Sequence, residues 1–154
     1  MKKYFFIFLS VVIIFIAGCS ANNSSVTGSE TIAKSANYDN AVKIPLSEIS
    51  TTAKFFNETV GGVKVEFFIV KSSNGEIKVA FNACDVCYGN HKGYFQEGNE
   101  MVCNNCKQRF GIDDLDVKNK AAGCWPSYLE SKVEGDSILI YPEKLSERKY
   151  MFEN

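Results

Sequence analysis

The sequence has no dominant charge, almost no histidine and no apolar run of membrane-spanning length. Its 17 Lys and Arg stand against 18 Asp and Glu, a formal charge of −1. Nucleic-acid binding needs clustered basic side chains, so no nucleic-acid partner is expected. One His in 154 residues excludes any centre that needs two imidazoles on one metal. No nucleophile sits beside a base, and paired carboxylates and a phosphate loop are both missing, so nothing marks a stand-alone catalyst. Six Cys are too few for a disulfide-built scaffold, which carries more than about 8 to 10% Cys. Apolar residues at 45% and charged residues at 23% exclude collagen-like, low-complexity and wholly disordered chains, and the length suits one domain.

What is present begins with an export address. Lys2 and Lys3 precede an apolar run from Tyr4 to Ala17, broken by Ser10 and ending in Ile16-Ala17-Gly18-Cys19. A helix of that length spans about 21 Å, short of the roughly 30 Å hydrocarbon core, so a cleaved signal over residues 1–18 is expected rather than a short membrane anchor. The last four residues resemble the lipobox of bacterial lipoproteins. That resemblance implies lipidation of Cys19, cleavage before it, and tethering at the extracytoplasmic face of a cell membrane. Residues 19–40 are rich in Ser, Asn, Thr and Ala; they bury too little apolar surface to offset ordering entropy and read as a flexible lipidated tether. Loss of Lys2 and Lys3 leaves 15 basic against 18 acidic residues, a net −3.

Residues 41–154 read as an all-β domain. Val63, Val65, Phe67 and Ile69 alternate with Lys64, Glu66, Phe68 and Val70, the period of a strand. Asn74-Gly75 is a dipeptide suited to the two positive φ angles of a tight turn, and Ile77, Val79 and Phe81 alternate after it, which predicts a hairpin over residues 63–82. Gly61-Gly62 marks a similar turn after a shorter strand near Lys54 to Phe56. Ser137 to Tyr141 forms another period-two run behind the turn Glu134-Gly135-Asp136. No window of 11 or more residues has helical periodicity, although Pro142 to Lys149 suits one or two turns with Pro first.

The cysteines carry the chemistry. Cys84-Asp85-Val86-Cys87 and Cys103-Asn104-Asn105-Cys106 give C-x₂-C-x₁₅-C-x₂-C, a strong metal-ligand pattern. Two residues between ligands let one tight turn aim both sulfurs at a common centre, and two such knuckles make a tetrahedral S₄ cage. Four thiolates with Zn²⁺ or an oxidised [2Fe–2S] core leave −2, for which Lys92, Lys107 and Arg109 are the nearest compensating charges in sequence. Two structural disulfides, favoured by export, and a thioredoxin-type redox pair are competing readings; the latter calls for a βαβ pattern that is not visible. Cys124, in Ala122-Gly123-Cys124-Trp125-Pro126, lies outside a four-ligand cage. It is a candidate additional ligand or exchange thiol, or a small buried residue. His91 reads as an exposed loop histidine before it reads as a ligand. Tyr88, Tyr94, Phe95 and Trp125 read as packing before they read as a water shield.

The segments from Val79 to Tyr88 and from Lys92 to Phe110 closely resemble the FtrD-like family of membrane iron–sulfur proteins, and the likeness extends more loosely from about Ile44 to Phe152. It implies an iron–sulfur protein at the membrane, often associated with iron uptake. The family's conserved cysteines carry over onto Cys84, Cys87, Cys103, Cys106 and Cys124. Where members usually have Gly after the fourth Cys, this chain has Lys107, which puts the turn geometry there in question. A more distant resemblance links the two cysteine loops, the aromatic turn Gln108-Arg109-Phe110 and Gly123 to Pro126 to Rieske domains, implying a small Rieske-like β-sandwich. Cys87 and Cys106 stand roughly where such domains carry their histidines. An all-thiolate [2Fe–2S] centre would lie near plant-type ferredoxins, around −400 mV. The expectation is thus an electron-transfer lipoprotein serving a membrane transport or redox partner linked to iron or copper. A zinc-stabilised binding module and a Cu(I) delivery protein are the alternatives.

Overall fold

The structure is a computed structural model, and it describes residues 40–118 and 123–153. The expected signal peptide, Cys19 and nearly all of the tether lie outside the described residues. Contacts divide the chain into Met1–Lys34, wholly outside them, and Ser35–Asn154, to which everything below refers. Among the described residues no helix is long and apolar enough to cross a membrane.

The all-β expectation holds. Strands β1 (Val42–Pro45), β2 (Lys54–Val60), β3 (Val63–Lys71), β4 (Ile77–Phe81), β5 (Tyr94–Glu97), β6 (Glu100–Cys103), β7 (Arg109–Gly111), β8 (Lys132–Glu134) and β9 (Ser137–Ile140) are followed by one short helix, α1 (Pro142–Ser146). Among the described residues they form three antiparallel three-stranded sheets, in the orders β1-β9-β8, β2-β3-β4 and β5-β6-β7. Pro142 opens α1, where its missing N–H leaves no hydrogen bond unmade.

Strand β3 organises the molecule. Val65, Phe67 and Ile69 pack with Ile44, Val79, Phe81, Ile138, Ile140 and Leu145 into one apolar cluster. Phe68 and Val70, their neighbours in sequence, belong to a second cluster with Ala80, Tyr94, Met101, Phe110 and three cysteines. Successive strand residues point to opposite faces, so the β2-β3-β4 sheet is buried on both. That explains why its hydrophobic alternation fades into the unbroken run Phe67 to Val70, all with no exposed surface.

The two turns around β3 exchange the chemistry expected of them. Gly61 and Gly62 both have positive φ, 57° and 82°, and join Val60 to its partner Val63 across a two-residue loop. At Asn74-Gly75 the ladder ends at Lys71↔Ile77, leaving a five-residue loop in which Gly75 alone has positive φ. Asn74 instead uses its side-chain Oδ1, which accepts hydrogen bonds from Ser72 Oγ and the Glu76 amide. The 63–82 hairpin stands, with a wider loop than the dipeptide predicts.

Candidate metal centre

Each cysteine loop grows out of a strand end. The first knuckle follows β4: the Asn82 amide donates to Glu66 O, which holds the exit of the strand, and the Tyr88 amide donates back to Cys84 O over 3.1 Å. The Cys87 amide donates to Cys84 Sγ at 3.1 Å, the stabilisation expected of a knuckle turn. The second knuckle is the β6–β7 hairpin loop, closed by Lys107 N–H to Cys103 O and Cys103 N–H to Gln108 O, both 3.0 Å. Lys107 has φ of 63°. The turn therefore keeps the left-handed geometry that favours glycine, and Lys107 meets it at a conformational cost.

The fifth cysteine of the layer, Cys124, comes from a third loop pinned against β4. Ser127 N–H donates to Ala83 O and the Ser127 carbonyl accepts the Phe81 amide, each at 2.9 Å, and Tyr128 bridges Ala80. The buried Tyr94 hydroxyl donates to Cys124 O. Trp125 lies 4.6 Å, ring to ring, from Phe110. These contacts bring Cys124 into the cysteine layer although it lies 18 residues beyond Cys106 in sequence.

The five cysteines among the described residues are free thiols, and there they form neither the two disulfides nor an oxidised C-x-x-C pair of the competing readings. Their sulfurs fall into two groups with all members within 4.8 Å of one another: Cys84, Cys87 and Cys124, and Cys87, Cys103 and Cys106. Cys87 Sγ stands 3.4 Å from Cys124 Sγ. Cys84, Cys103 and Cys124 are buried, Cys87 is half-buried and Cys106 is exposed. The donor set fits a thiophilic metal or an iron–sulfur cluster: soft sulfur ligands converging from three loops, with an outer edge open to solvent.

The charges near the site differ from the sequence-order expectation. Arg109 is taken by Glu97 and Glu100, and Lys107 Nζ lies 5.8 Å from the centre of the Phe95 ring. Dipoles provide the nearer compensation. The Asn105 side-chain amide donates to Cys87 Sγ at 3.4 Å and is the chief reason the Cys87 thiol is lowered to about 7. Burial pushes the Cys103 and Cys124 thiols up, with neighbouring sulfurs adding to the rise at Cys124. Burial likewise raises the Tyr94 hydroxyl, which stays a proton donor.

Asparagine is the class of site residue that motif reading passes over. Asn82 Oδ1 accepts the Tyr94 amide at 2.8 Å, while Asn104 ties the second knuckle to the inter-knuckle loop through Lys92 O and Gly93 O. Gly93, with φ of 59°, leaves no room for a side chain: a Cβ would come within 2.5 Å of the Asn82 amide group. Asn104 and Asn105 fill both variable positions of C-x₂-C, and that polar pairing is the signal available in sequence. His91 is exposed in a left-handed turn and belongs to neither sulfur group. A cavity of about 240 Å³ runs beside the layer, reaching Cys84, Cys87, Cys103, His91, Lys92 and Asn105.

No curated protein matches the sequence. Among solved structures, the quaternary ammonium Rieske monooxygenase CntA, in complex with an inhibitor, is similar at a TM-score of 0.45 and 13% identity, over 68% of this chain and 32% of that one. The chain thus spans about a third of that protein, and a likeness of this size carries no argument about activity. Residues 48–152 match the model of the family described as membrane iron-sulfur containing protein FtrD-like, and the chain belongs to that family.

Proposed function

We propose that this protein is a lipid-anchored electron carrier whose cysteine layer holds an iron–sulfur centre and exchanges single electrons with a membrane partner of an iron or copper transport system. The observation that carries the reading is the convergence of five free thiols from three loops in a family of membrane iron–sulfur proteins. When bound, the cluster supplies one-electron redox chemistry near neutral pH without a proton-transfer group. The chain's own residues hold and insulate it. Cys84, Cys103 and Cys124 anchor it in an apolar cluster with Tyr94, Met101 and Phe110, and the exposure of Cys106 leaves one edge where a partner can approach. Anchoring through Cys19 would keep the domain within reach of a membrane partner, two acyl chains giving stable attachment.

The test is the visible spectrum of anaerobically purified protein. A brown species that bleaches on reduction, with iron and acid-labile sulfide in the same sample, is expected. A colourless protein carrying Zn²⁺ or Cu(I) would overturn the reading in favour of a binding module or a delivery protein. Labelled palmitate checks the anchor separately: incorporation into the wild type and its loss in Cys19→Ala is the expected pair.

A further inference from the structure

Two thiolates held tetrahedrally at about 2.3 Å from one ion stand about 3.8 Å apart. Cys87 Sγ and Cys124 Sγ, at 3.4 Å, are spaced as two donors to one ion, and Cys84 joins them within 4.8 Å. On the other side Cys103 and Cys106 complete a second group of the same size, again with Cys87. The four knuckle sulfurs therefore do not stand as one quartet at that spacing. Cys87 is common to both groups, and a thiolate has lone pairs enough for two metals.

We infer that the five thiols form a two-metal site: Cys84, Cys87 and Cys124 hold one thiophilic ion, Cys87, Cys103 and Cys106 hold the other, and the Cys87 sulfur is shared. The inference rests on reading the cysteine layer as a metal centre, and it is independent of which metal the cell supplies. Charge favours it. Two divalent ions on five thiolates leave −1, whereas one on four leaves −2, and Arg109 is already engaged by Glu97 and Glu100. Asn105, which donates to the Cys87 sulfur, fixes the shared ligand between the knuckles. Three thiolates leave one position of a four-coordinate ion open. The cavity of about 240 Å³ that reaches Cys84, Cys87 and Cys103 gives a small anion such as sulfide access to it.

The experiment is an anaerobic titration of the reduced, metal-stripped, detergent-solubilised full chain with Co²⁺. Thiolate-to-cobalt absorption is followed, and bound cobalt is counted after desalting. Two cobalt ions per wild-type chain are expected, with a paramagnetic signal per cobalt that drops on binding of the second ion, because a shared sulfur couples the spins. Cys124→Ser should bind one, at Cys87, Cys103 and Cys106, and that retained ion shows that the variant is folded; Cys87→Ser takes a ligand from both groups and should retain neither ion through desalting. A wild-type endpoint at one cobalt, or two ions retained in Cys124→Ser, would overturn the inference. Iron and acid-labile sulfide in the protein as purified are assayed in parallel. Their absence beside a two-cobalt endpoint sinks the iron–sulfur reading alone, and their presence beside a one-cobalt endpoint sinks the two-metal site alone.

Discussion

The two faces of the central sheet are built from the same strand and differ in what completes them. Phe67 faces a cluster of hydrocarbon side chains alone, closed by β1, β9 and α1. Phe68, one residue on, faces a cluster in which Cys84, Cys103, Cys124 and Tyr94 sit among Met101, Phe110, Ile112 and Leu115. The first face is complete when its side chains leave water. The second buries thiols and a phenol, polarisable groups whose neighbours are one another, and a bound metal would add its binding energy to that layer.

That contrast is sharpest at the adjacent phenylalanines. Phe67→Ala and Phe68→Ala should each cost about 3 to 5 kcal/mol, since both rings are fully buried. They should part in their second effect. Phe68 packs on Tyr94, with ring centres 6.4 Å apart, and Tyr94 holds the Cys124 carbonyl, so Phe68→Ala alone should also weaken metal retention and shift the metal-centre spectrum. Chemical denaturation together with metal content per chain checks both. A Phe67→Ala protein that lost metal as readily would remove the distinction between the faces.

Next in size is Cys103→Ala. In the metal-loaded protein it should lower the melting temperature by removing the binding contribution, on the order of a few kcal/mol for a ligand well above its Kd. In the metal-free protein it should change little beyond a small cavity. Melting curves with and without metal separate the two. An equal loss in both states would make Cys103 a packing residue like those of the other face.

Asp116, directly after Leu115 at the rim of the second cluster, tests pH. Burial raises its carboxyl to about 7, and Lys78, which lowers it, and Glu76, which raises it, are its nearest opposing influences; among the described residues its Oδ1 has no hydrogen-bond partner. The folded protein thus holds a proton that the unfolded chain, titrating at 3.8, has released. Stability should fall as pH rises from about 4 to about 7 and then level; the full difference between 3.8 and 7 corresponds to about 4 kcal/mol, and water reaching the half-buried side chain reduces the expected loss to about 2 kcal/mol. Asp116→Asn should flatten that slope and leave the protein more stable at pH 8. Urea unfolding at pH 5 and pH 8 reads it, and an unchanged slope in the variant would assign the pH dependence elsewhere.

The smallest effect belongs to the turn at Lys107. Lys107→Gly relieves a residue at φ of 63° but frees the unfolded chain and loses the contact over Phe95. A net gain of about 0.5 kcal/mol is expected, with metal content unchanged. A loss of metal would show that the lysine charge, rather than the turn, serves the centre.

Much of this was legible in the chain. Periodicity marked β3, β4 and β9 because their faces are buried, and burial forces alternation. The knuckle spacing pointed to four cysteines that the structure brings into one layer, since two residues between cysteines suffice for one turn. The β5–β6 hairpin was not legible. Tyr94 to Glu97 and Glu100 to Cys103 are only four residues each, and Glu97 and Glu100 interrupt any alternation so that they can meet Arg109. The fifteen residues between the knuckles therefore read as loop, although seven of them are strand and help set the distance between the two turns.

Local chemistry was thus determined by the sequence alone: which residues form strands, which turns require glycine, and which cysteines pair across a tight turn. Those are properties of a few neighbouring residues. The grouping of the sulfurs was decided by tertiary structure. Whether Cys124 stands with the knuckles depends on Ser127 meeting Ala83 and Phe81 and on the Tyr94 hydroxyl reaching Cys124 O, contacts across tens of residues that no spacing encodes. The same holds for Cys87, whose place between two sulfur groups follows from how three loops pack on one buried face.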